Sequence, residues 1–591
     1  MFSFLRKSYL QYLCIFLLSY VCLLGITFIY DYSAPANNGG GILSFIHQRN
    51  LLTLSLILTL HSIIFSSKKL YLIEIFSLGI LFSSIFLIKN FVGESWYIKD
   101  IKYFFLFSFS LLNMYLFIST LFNKSYYSKV ISYLILFIIS LPIFIIWCYY
   151  FISHTFFNVT TLLAILQTNF GESKEYLQMH NDSMLYLSII IFMLMLSSIF
   201  YLNKKLHLKY KMHKYLKLLL IILLILDISM IYKYKENIIT DIFWQTNAYI
   251  EEYQKFNTER EHRKLNLTTA NTTSSGIYVL VIGESQSKKH MSIYGYDRET
   301  TPWLNTKLND PNFILFNNAY SCHTHTVQVL TYALTAKNQY NNLNLSTSAS
   351  LIEAVESAGY ETVWLSNQAQ YGAWDTPTSA IASEANQQDW INHNLGETTR
   401  TNCYDLKLTD SLSKIQLSDK MLIVIHLMGN HGVYSERYPS DFNKYTSKNT
   451  INEYDNSILY NDFVVQNIYD KVRKLPNFKG LIYFSDHADD VDNDLGHDAS
   501  NFTPEMTYIP FYMYFSDDYL ATHSEKIANL KAHKNAYFTN DLIFNTVLGI
   551  LDIKIDNLYE PENDITSSHY DTTPSRFKTL YNQKSILQEE N

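Results

Sequence analysis

The chain has 591 residues, 48% hydrophobic and 17% charged, with a formal net charge of −7. A soluble enzyme carries about a quarter charged residues, so these averages join two unlike halves. The acidic balance, without a basic stripe interleaved with aromatics, argues against nucleic acid as a partner.

The apolar excess lies almost wholly before residue 235. Seven apolar stretches can be read there, at 9–30, 51–65, 70–88, 103–122, 131–151, 184–202 and 215–231. Most reach the roughly 20 residues that cross a bilayer; the second is short, and five crossings give the same parity as seven. Lysine and arginine in the connections orient them. Arg6 and Lys7, Lys68 and Lys69, Lys124 and Lys129, and the cluster from Lys204 to Lys214 fall on the cytoplasmic side. An odd number of crossings delivers everything after Tyr232 outward, together with a loop at 153–182. Domain boundaries follow: a transmembrane domain at 1–234, a surface helix with the linker "TTANTTSSG" over 235–275, and an extracytoplasmic domain at 276–591. Asp227 falls within the last stretch, where an acid is costly; it reads as a packing acid before a catalytic one.

From Gly276 the pattern changes. Apolar runs "IYVLVIG", "FILFNNA", "YETVWLS", "MLIVIHL", "LIYFSDH" and "IPFYMYF" alternate with helical patterns such as "SLIEAVESAGY" and "YNDFVVQNIYDKV". Near-continuous apolar strands between helices predict an α/β domain, a largely parallel sheet covered by helices on both faces. In such sheets the active site forms beyond the C-terminal strand ends. Glu284 ends the first run, His426 and His431 follow the fourth, and Asp486 and His487 follow the fifth, with His497 ten residues on. "SCHTHT" delivers Thr324 and Thr326. Alone, each is an ordinary solvated or capping residue. Together they are an O/N donor set that suits zinc, which lowers the pKa of a bound hydroxyl and neutralises a phosphoryl oxygen. Cys14, Cys22 and Cys148 sit in apolar stretches, and a bridge between Cys322 and Cys403 stays open.

"VIGESQSKKHMSIYGYDRETTPWL", "SCHTHT", "HLMGNHG", "YDNSILYND" and "YFSDHADD" resemble the lipopolysaccharide phosphoethanolamine transferases of the alkaline phosphatase and sulfatase superfamily. The resemblance covers the soluble half in order. It implies Glu284, Thr326, Asp486 and His487 as ligands of one catalytic Zn2+, with Thr326 also the nucleophile. It implies His426, His431 and His497 for head-group binding, proton transfer or a second zinc held by His431 and His497. "LQTNFGESKEYL" resembles a loop that touches the lipid donor, through Thr168 and Glu172. Asn367 and Gln368 stand where the lipid A branch has a lysine, and Ala164 where an asparagine is expected. With at most one disulfide, the chain is more similar to the core-modifying branch. The expected partners are phosphatidylethanolamine as donor, lipopolysaccharide or lipooligosaccharide as acceptor, and the bilayer, with the catalytic domain in the periplasm of a bacterial inner-membrane protein. Competing readings are a phosphoglycerol transferase or sulfatase-like hydrolase on the same fold, and a membrane sensor. "SCHTHTVQV" lacks the Pro and Arg of a sulfatase modification motif.

Overall fold

The computed structural model describes residues 126–168, 183–205, 238–262, 275–368, 377–392 and 403–589, with a few isolated positions besides. The chain divides into two compact units, one of Met1–Phe157 with Asp182–Gln245, the other of Asn158–Asn181 with Thr246–Asn591.

In the first unit, the stretches expected at 131–151 and 184–202 fall on helices Tyr126–Ser153 and Ser183–Lys205. Phe144 stacks on Phe192 at 4.1 Å between ring centroids, and Cys148 Sγ lies 3.2 Å from Ser188 Oγ. Leu185, Ser188 and Phe192 form one buried stripe of the second helix. Its other face leaves Tyr186, Leu187, Ile189, Ile190, Met193 and Leu194 exposed. Among the described residues no helix is long and apolar enough to cross a membrane. Side chains of Tyr126–Ser153 are described without gaps only from Leu141 onward. The stretches at 9–30, 51–65, 70–88 and 103–122, nearly all of 215–231, and Asp227 lie outside the described residues.

The second unit is built on a seven-stranded sheet. Its strands are β1 (Gly276–Gly283), β2 (Phe313–Phe316), β4 (Glu361–Ser366), β5 (Gln387–Trp390), β6 (Lys420–His426), β7 (Phe478–Ser485) and β8 (Phe511–Phe515), in the order β2-β8-β7-β1-β6-β4-β5. The run from β7 to β5 is parallel, and β8 and β2 add antiparallel pairs at one edge. All eight residues of β1 are buried because both faces are covered. Tyr278, Leu280 and Ile282 enter one core; Ile277, Val279 and Val281 enter the other. Helix Thr450–Val472, started by Asn449 accepting from the Asn452 amide, contributes Tyr454, Ile458, Val465 and Ile468 to the second core. "FILFNNA" is not one strand. It breaks at Asn317 into β2 and β3 (Asn318–Tyr320), and β3 pairs with β9 (Tyr537–Thr539) in a small separate sheet.

The helix expected within 235–275 is present, though not wholly at the surface, and residues 263–274 of the expected linker lie outside the described residues. Ile238–His262 is one 25-residue helix; its Thr246 is buried, and Tyr253 and Phe256, the latter completely, belong to the core that holds Tyr278. Charged and amide residues interleaved with them, such as Glu251, Glu252, Gln254 and Lys255, hide the stripe from a reading of average polarity. Phe256→Ala is therefore expected to destabilise the purified protein by about 3–5 kcal/mol. A surface position would cost no more than about 0.5 kcal/mol. Thermal unfolding distinguishes the two.

Upstream, Asn158 caps helix Val159–Gln167 by accepting from the Thr161 amide at 3.0 Å. This helix packs beside Ala499–Asn501, and Gln167 hydrogen-bonds Tyr253 through its side chain.

Candidate metal and phosphoryl-transfer site

Parallel pairing brings the strand ends to one rim. Ile282 faces His426, Gly283 faces Ser485, and Ser366 faces His426. Glu284, Asp486 and Asn367, one residue past their strands, therefore stand side by side. Ser285 adopts a left-handed φ of 54°, a conformation that costs a non-glycine residue about 1 kcal/mol or more. It turns its amide onto Asp486 Oδ1 at 3.1 Å and its hydroxyl onto Glu284 Oε1 at 3.1 Å.

The fourth group arrives from β3. The turn after it is stapled to the β7 end by Ser321, whose hydroxyl donates to the Asp486 carbonyl at 2.7 Å, and by Asn540, whose amide also donates there while its oxygen accepts from the Cys322 amide. Thr326 then opens helix Thr326–Ala333. Its Oγ1 lies 3.2 and 3.3 Å from the two Glu284 oxygens and 3.4 Å from His487 Nε2. His487 Nε2 is also 3.3 Å from Glu284 Oε1 and 3.4 Å from Asp486 Oδ2. His487 Nδ1 faces the Ala488 carbonyl at 3.3 Å; a carbonyl only accepts, so the proton belongs on Nδ1 and Nε2 keeps its lone pair.

Glu284, Asp486 and His487 are at most 1% exposed, and their ligand atoms lie within 4.8 Å of one another. Asp486 Oδ2 accepts no hydrogen bond among the described residues, an orphan at a fully buried carboxylate. Burial, and then the neighbouring Asp486, push the Glu284 carboxyl well above its usual range, while His431 and His497 pull it back. Two desolvated acids in contact call for a cation. Two carboxylates, one imidazole lone pair and one hydroxyl make four donors of the kind that hold zinc tetrahedrally.

A second group lies alongside. His487, Asp489 and His497 also place ligand atoms within 4.8 Å of one another. His497 Nδ1 is 2.7 Å from Asp489 Oδ1, and the Tyr434 hydroxyl donates to Asp489 Oδ2 at 2.6 Å. Burial works to raise the Asp489 carboxyl, yet His497, then His487 and Tyr434, outweigh it and hold the group below its ordinary value. The His497 ring stands 4.3 Å from that of His487 and 5.6 Å from that of His325. Burial, then His487, brings His323 down to about 3, and burial, then His497, keeps His325 neutral as well.

The structure thus gathers Glu284, Thr326, Asp486, His487 and His497, with His431 near enough to Glu284 to act on its charge. His426 is buried, brought down to about 4 by burial against a smaller opposing pull from Asp486. Its ring meets Trp364 edge-on, and its Nε2 makes no hydrogen bond among the described residues. Gln368 reaches the cluster, donating to the Leu427 carbonyl at 2.9 Å with its amide 3.5 Å from Glu284 Oε2. Asn367 stands one step back, bonded to Asp405 and to the Cys403 carbonyl, both at 2.8 Å. Thr168 ends helix Val159–Gln167, its hydroxyl donating to the Ala164 carbonyl; Glu172 lies outside the described residues. Thr324, the other hydroxyl of "HTHT", is fully buried, and its Oγ1 has no partner among the described residues. Cys322 and Cys403 are both free, so the bridge left open by the sequence is absent. Ser285, Asp405, Asp489 and Tyr434 are the residues the sequence reading missed; only Asp489, two residues after His487 in the same loop, carried a signal.

Residues 277–553 match the family model described as Sulfatase. Phosphoethanolamine transferase EptC of Escherichia coli (strain K12) is 31% identical over 332 residues, 52% of this chain and 56% of that protein. The chain thus spans about half the length of the curated relatives it matches. Among solved structures, the C-terminal periplasmic domain of EptC from Escherichia coli, in complex with Zn, is 30% identical across 54% of this chain and 93% of its own, with a TM-score of 0.47. The integral membrane protein lipooligosaccharide phosphoethanolamine transferase A of Neisseria meningitidis is similar in fold over 78% of this chain and 98% of its own, at 20% identity and a TM-score of 0.52.

Proposed function

We propose, for a chain whose residues 277–553 match the Sulfatase family model, that it transfers phosphoethanolamine from phosphatidylethanolamine to lipopolysaccharide or lipooligosaccharide through a phospho-threonine at Thr326. The observation that carries this reading is the Thr326 hydroxyl, held 3.2 to 3.4 Å from Glu284 and His487 among acids that demand a cation. The curated relatives' name, phosphoethanolamine transferase, supports the head group.

A zinc ion held by Glu284, Thr326, Asp486 and His487 would lower the pKa of the Thr326 hydroxyl and neutralise a phosphoryl oxygen. Thr326, its hydroxyl proton already given up to solvent, attacks the donor phosphorus through Oγ1, forming the Thr–O–P bond as the P–O bond to glycerol breaks. Asp489 accepts from His497 Nδ1 and orients the ring, and a proton carried on His497 Nε2 goes to the departing glycerol oxygen. Diacylglycerol leaves. The now neutral His497 takes the proton of an acceptor hydroxyl, which attacks the phosphorus and frees Thr326. Neutral His323 and His325 add no charge that would compete for the phosphate. His431 and His426 complete the donor-side imidazoles; a second zinc held by His431 and His497 is the alternative to His497 as proton carrier, because one Nε2 cannot serve both. Gln368 serves the head group directly, Asn367 through its neighbours, and Thr168 with Glu172 the lipid portion.

Two apolar helices with uncovered aliphatic faces support a place in a membrane, as do the odd number of apolar stretches and a fold shared well beyond residues 277–553. The chain is accordingly read as a multi-pass inner-membrane protein with 276–591 in the periplasm, where a head group reaches the site while its acyl chains stay in lipid.

Incubated in micelles with head-group-labelled phosphatidylethanolamine, the protein is expected to release diacylglycerol and to leave a phosphoethanolamine mass on the peptide containing Thr326. Glycolipid acceptor should then speed turnover. Label appearing as free phosphate would mean a hydrolase, and preferential consumption of phosphatidylglycerol a phosphoglycerol transferase.

A further inference from the structure

Beyond β6 the chain makes a tight turn over residues 427–431, pressed against the backbone of Glu284. Gly429 has φ 51°, and a Cβ there would lie 2.8 Å from the nitrogen and the oxygen of Glu284 and 3.0 Å from its Cβ. Any larger residue would push the Glu284 backbone away. The Asn430 amide donates to the Glu284 carbonyl at 2.8 Å, and the Leu427 amide to the Ile282 carbonyl at 2.9 Å. Where this turn sits thus decides where Glu284 sits.

One buried carboxylate holds it. Asp405 opens the short 3-10 turn Asp405–Lys407, far from the 427–431 turn in sequence, and is 6% exposed. Its Oδ1 accepts from the Met428 amide at 2.8 Å and its Oδ2 from the Gly429 amide at 2.8 Å. The Asn367 side chain donates to Oδ1 from behind, also at 2.8 Å. Burial raises the Asp405 carboxyl, and these three donors draw it back toward the ionised form. Two consecutive amides bound to the two oxygens of one planar group fix the orientation of the peptide between them.

We propose that Asp405, braced by Asn367, is a positioning residue for phosphoryl transfer: its grip on Met428 and Gly429 sets the 427–431 turn and, through it, the place of Glu284 beside Thr326. The proposal rests on the Thr326 reading for its kinetic arm. A displacement of about 1 Å in a catalytic group costs on the order of 10²-fold in rate, so loosening this turn acts on turnover before it acts on substrate binding. It also assigns Asn367 a bracing role toward Asp405 and leaves head-group contact to Gln368.

Asp405→Asn tests it, because the side-chain amide keeps the shape but cannot accept from both backbone amides. Asp462 is the control: it grips the Trp303 and Leu304 amides at 2.8 and 3.2 Å in the same way, at the helix Pro302–Asn305 instead of the 427–431 turn. Both variants should lose comparable thermal stability in the full-length protein. Only Asp405→Asn should lower kcat, by roughly 10–100-fold with KM for phosphatidylethanolamine unchanged, and only it should shift the visible absorption of the cobalt-substituted protein recorded without substrate. An Asp405→Asn kcat that falls no further than that of Asp462→Asn, with the same cobalt spectrum as wild type, overturns the proposal. Should Asp405→Asn fail to fold, Asn367→Ala gives the same reading: a lower kcat with a cobalt shift supports bracing, and a change confined to KM overturns it. A wild-type protein that forms no phospho-threonine would sink the functional reading instead, and the cobalt spectra would still decide the role of Asp405.

Discussion

Thr326→Ala is expected to lower transfer by on the order of 10³-fold or more and to abolish the labelled adduct, while the protein stays folded. The loss is large because Thr326 Oγ1 is the hydroxyl held between both Glu284 oxygens and His487 Nε2. The fold survives because the remaining groups keep their own hydrogen bonds: Glu284 still accepts from Ser285, and Asp486 from the Ser285 and His487 amides. The paired measurement is Thr324→Ala. That side chain is fully buried, so its loss is one of packing and should leave turnover within a few-fold of wild type. Full transfer by Thr326→Ala together with loss in Thr324→Ala would move the nucleophile two residues upstream.

The metal gives the second large effect. Purified protein should hold about one tightly bound zinc, and Asp486→Asn or His487→Ala should release it and end transfer. Asp486→Asn replaces the buried oxygen that has no hydrogen-bond donor among the described residues, and His487→Ala removes the nitrogen on which the other three groups converge. His497→Ala and His431→Ala should keep that zinc and slow turnover. Metal analysis after gel filtration checks all four. Stoichiometric zinc in both the Asp486 and His487 variants would show that the ligand set is elsewhere.

The parts of the fold that could be read from sequence were those in which burial writes itself into composition. β1 and Met421–Ile425 of β6 have both faces covered, so they are apolar without interruption, and Glu284 after β1 and His426 at the end of β6 stand out as the first polar residues. β5 is four residues, "QQDW", at the sheet edge, and β9 has three, too short for a period to show. Helix Ile238–His262 buries Tyr253 and Phe256 yet exposes Phe243 and Trp244, so which of its aromatics are covered depends on a partner surface that the local sequence does not contain. The site divides in the same way. Glu284, Asp486 and His487 are polar residues at apolar strand ends, and their motifs carry a family resemblance. Ser285 acts through a backbone angle, and Asp405 through an amide pair more than twenty residues away; neither leaves a local trace. Asn367 and Gln368 are adjacent letters, yet one side chain faces Asp405 and the other Glu284, an alternation that continues the pleat of β4.

The second unit is discontinuous along the chain, drawing on Asn158–Asn181 as well as Thr246–Asn591, and this orders its assembly in time. Helix Val159–Gln167 leaves the ribosome before any strand of the sheet has been made, while the Ala499–Asn501 turn beside which it packs comes near the end of synthesis. At about 5–20 residues per second the earlier piece waits on the order of tens of seconds for its counterpart. During that interval Asn158 holds the helix start through the Thr161 amide, a contact only three residues long. The turn that follows His497 by two residues therefore meets a helix translated more than three hundred residues before it.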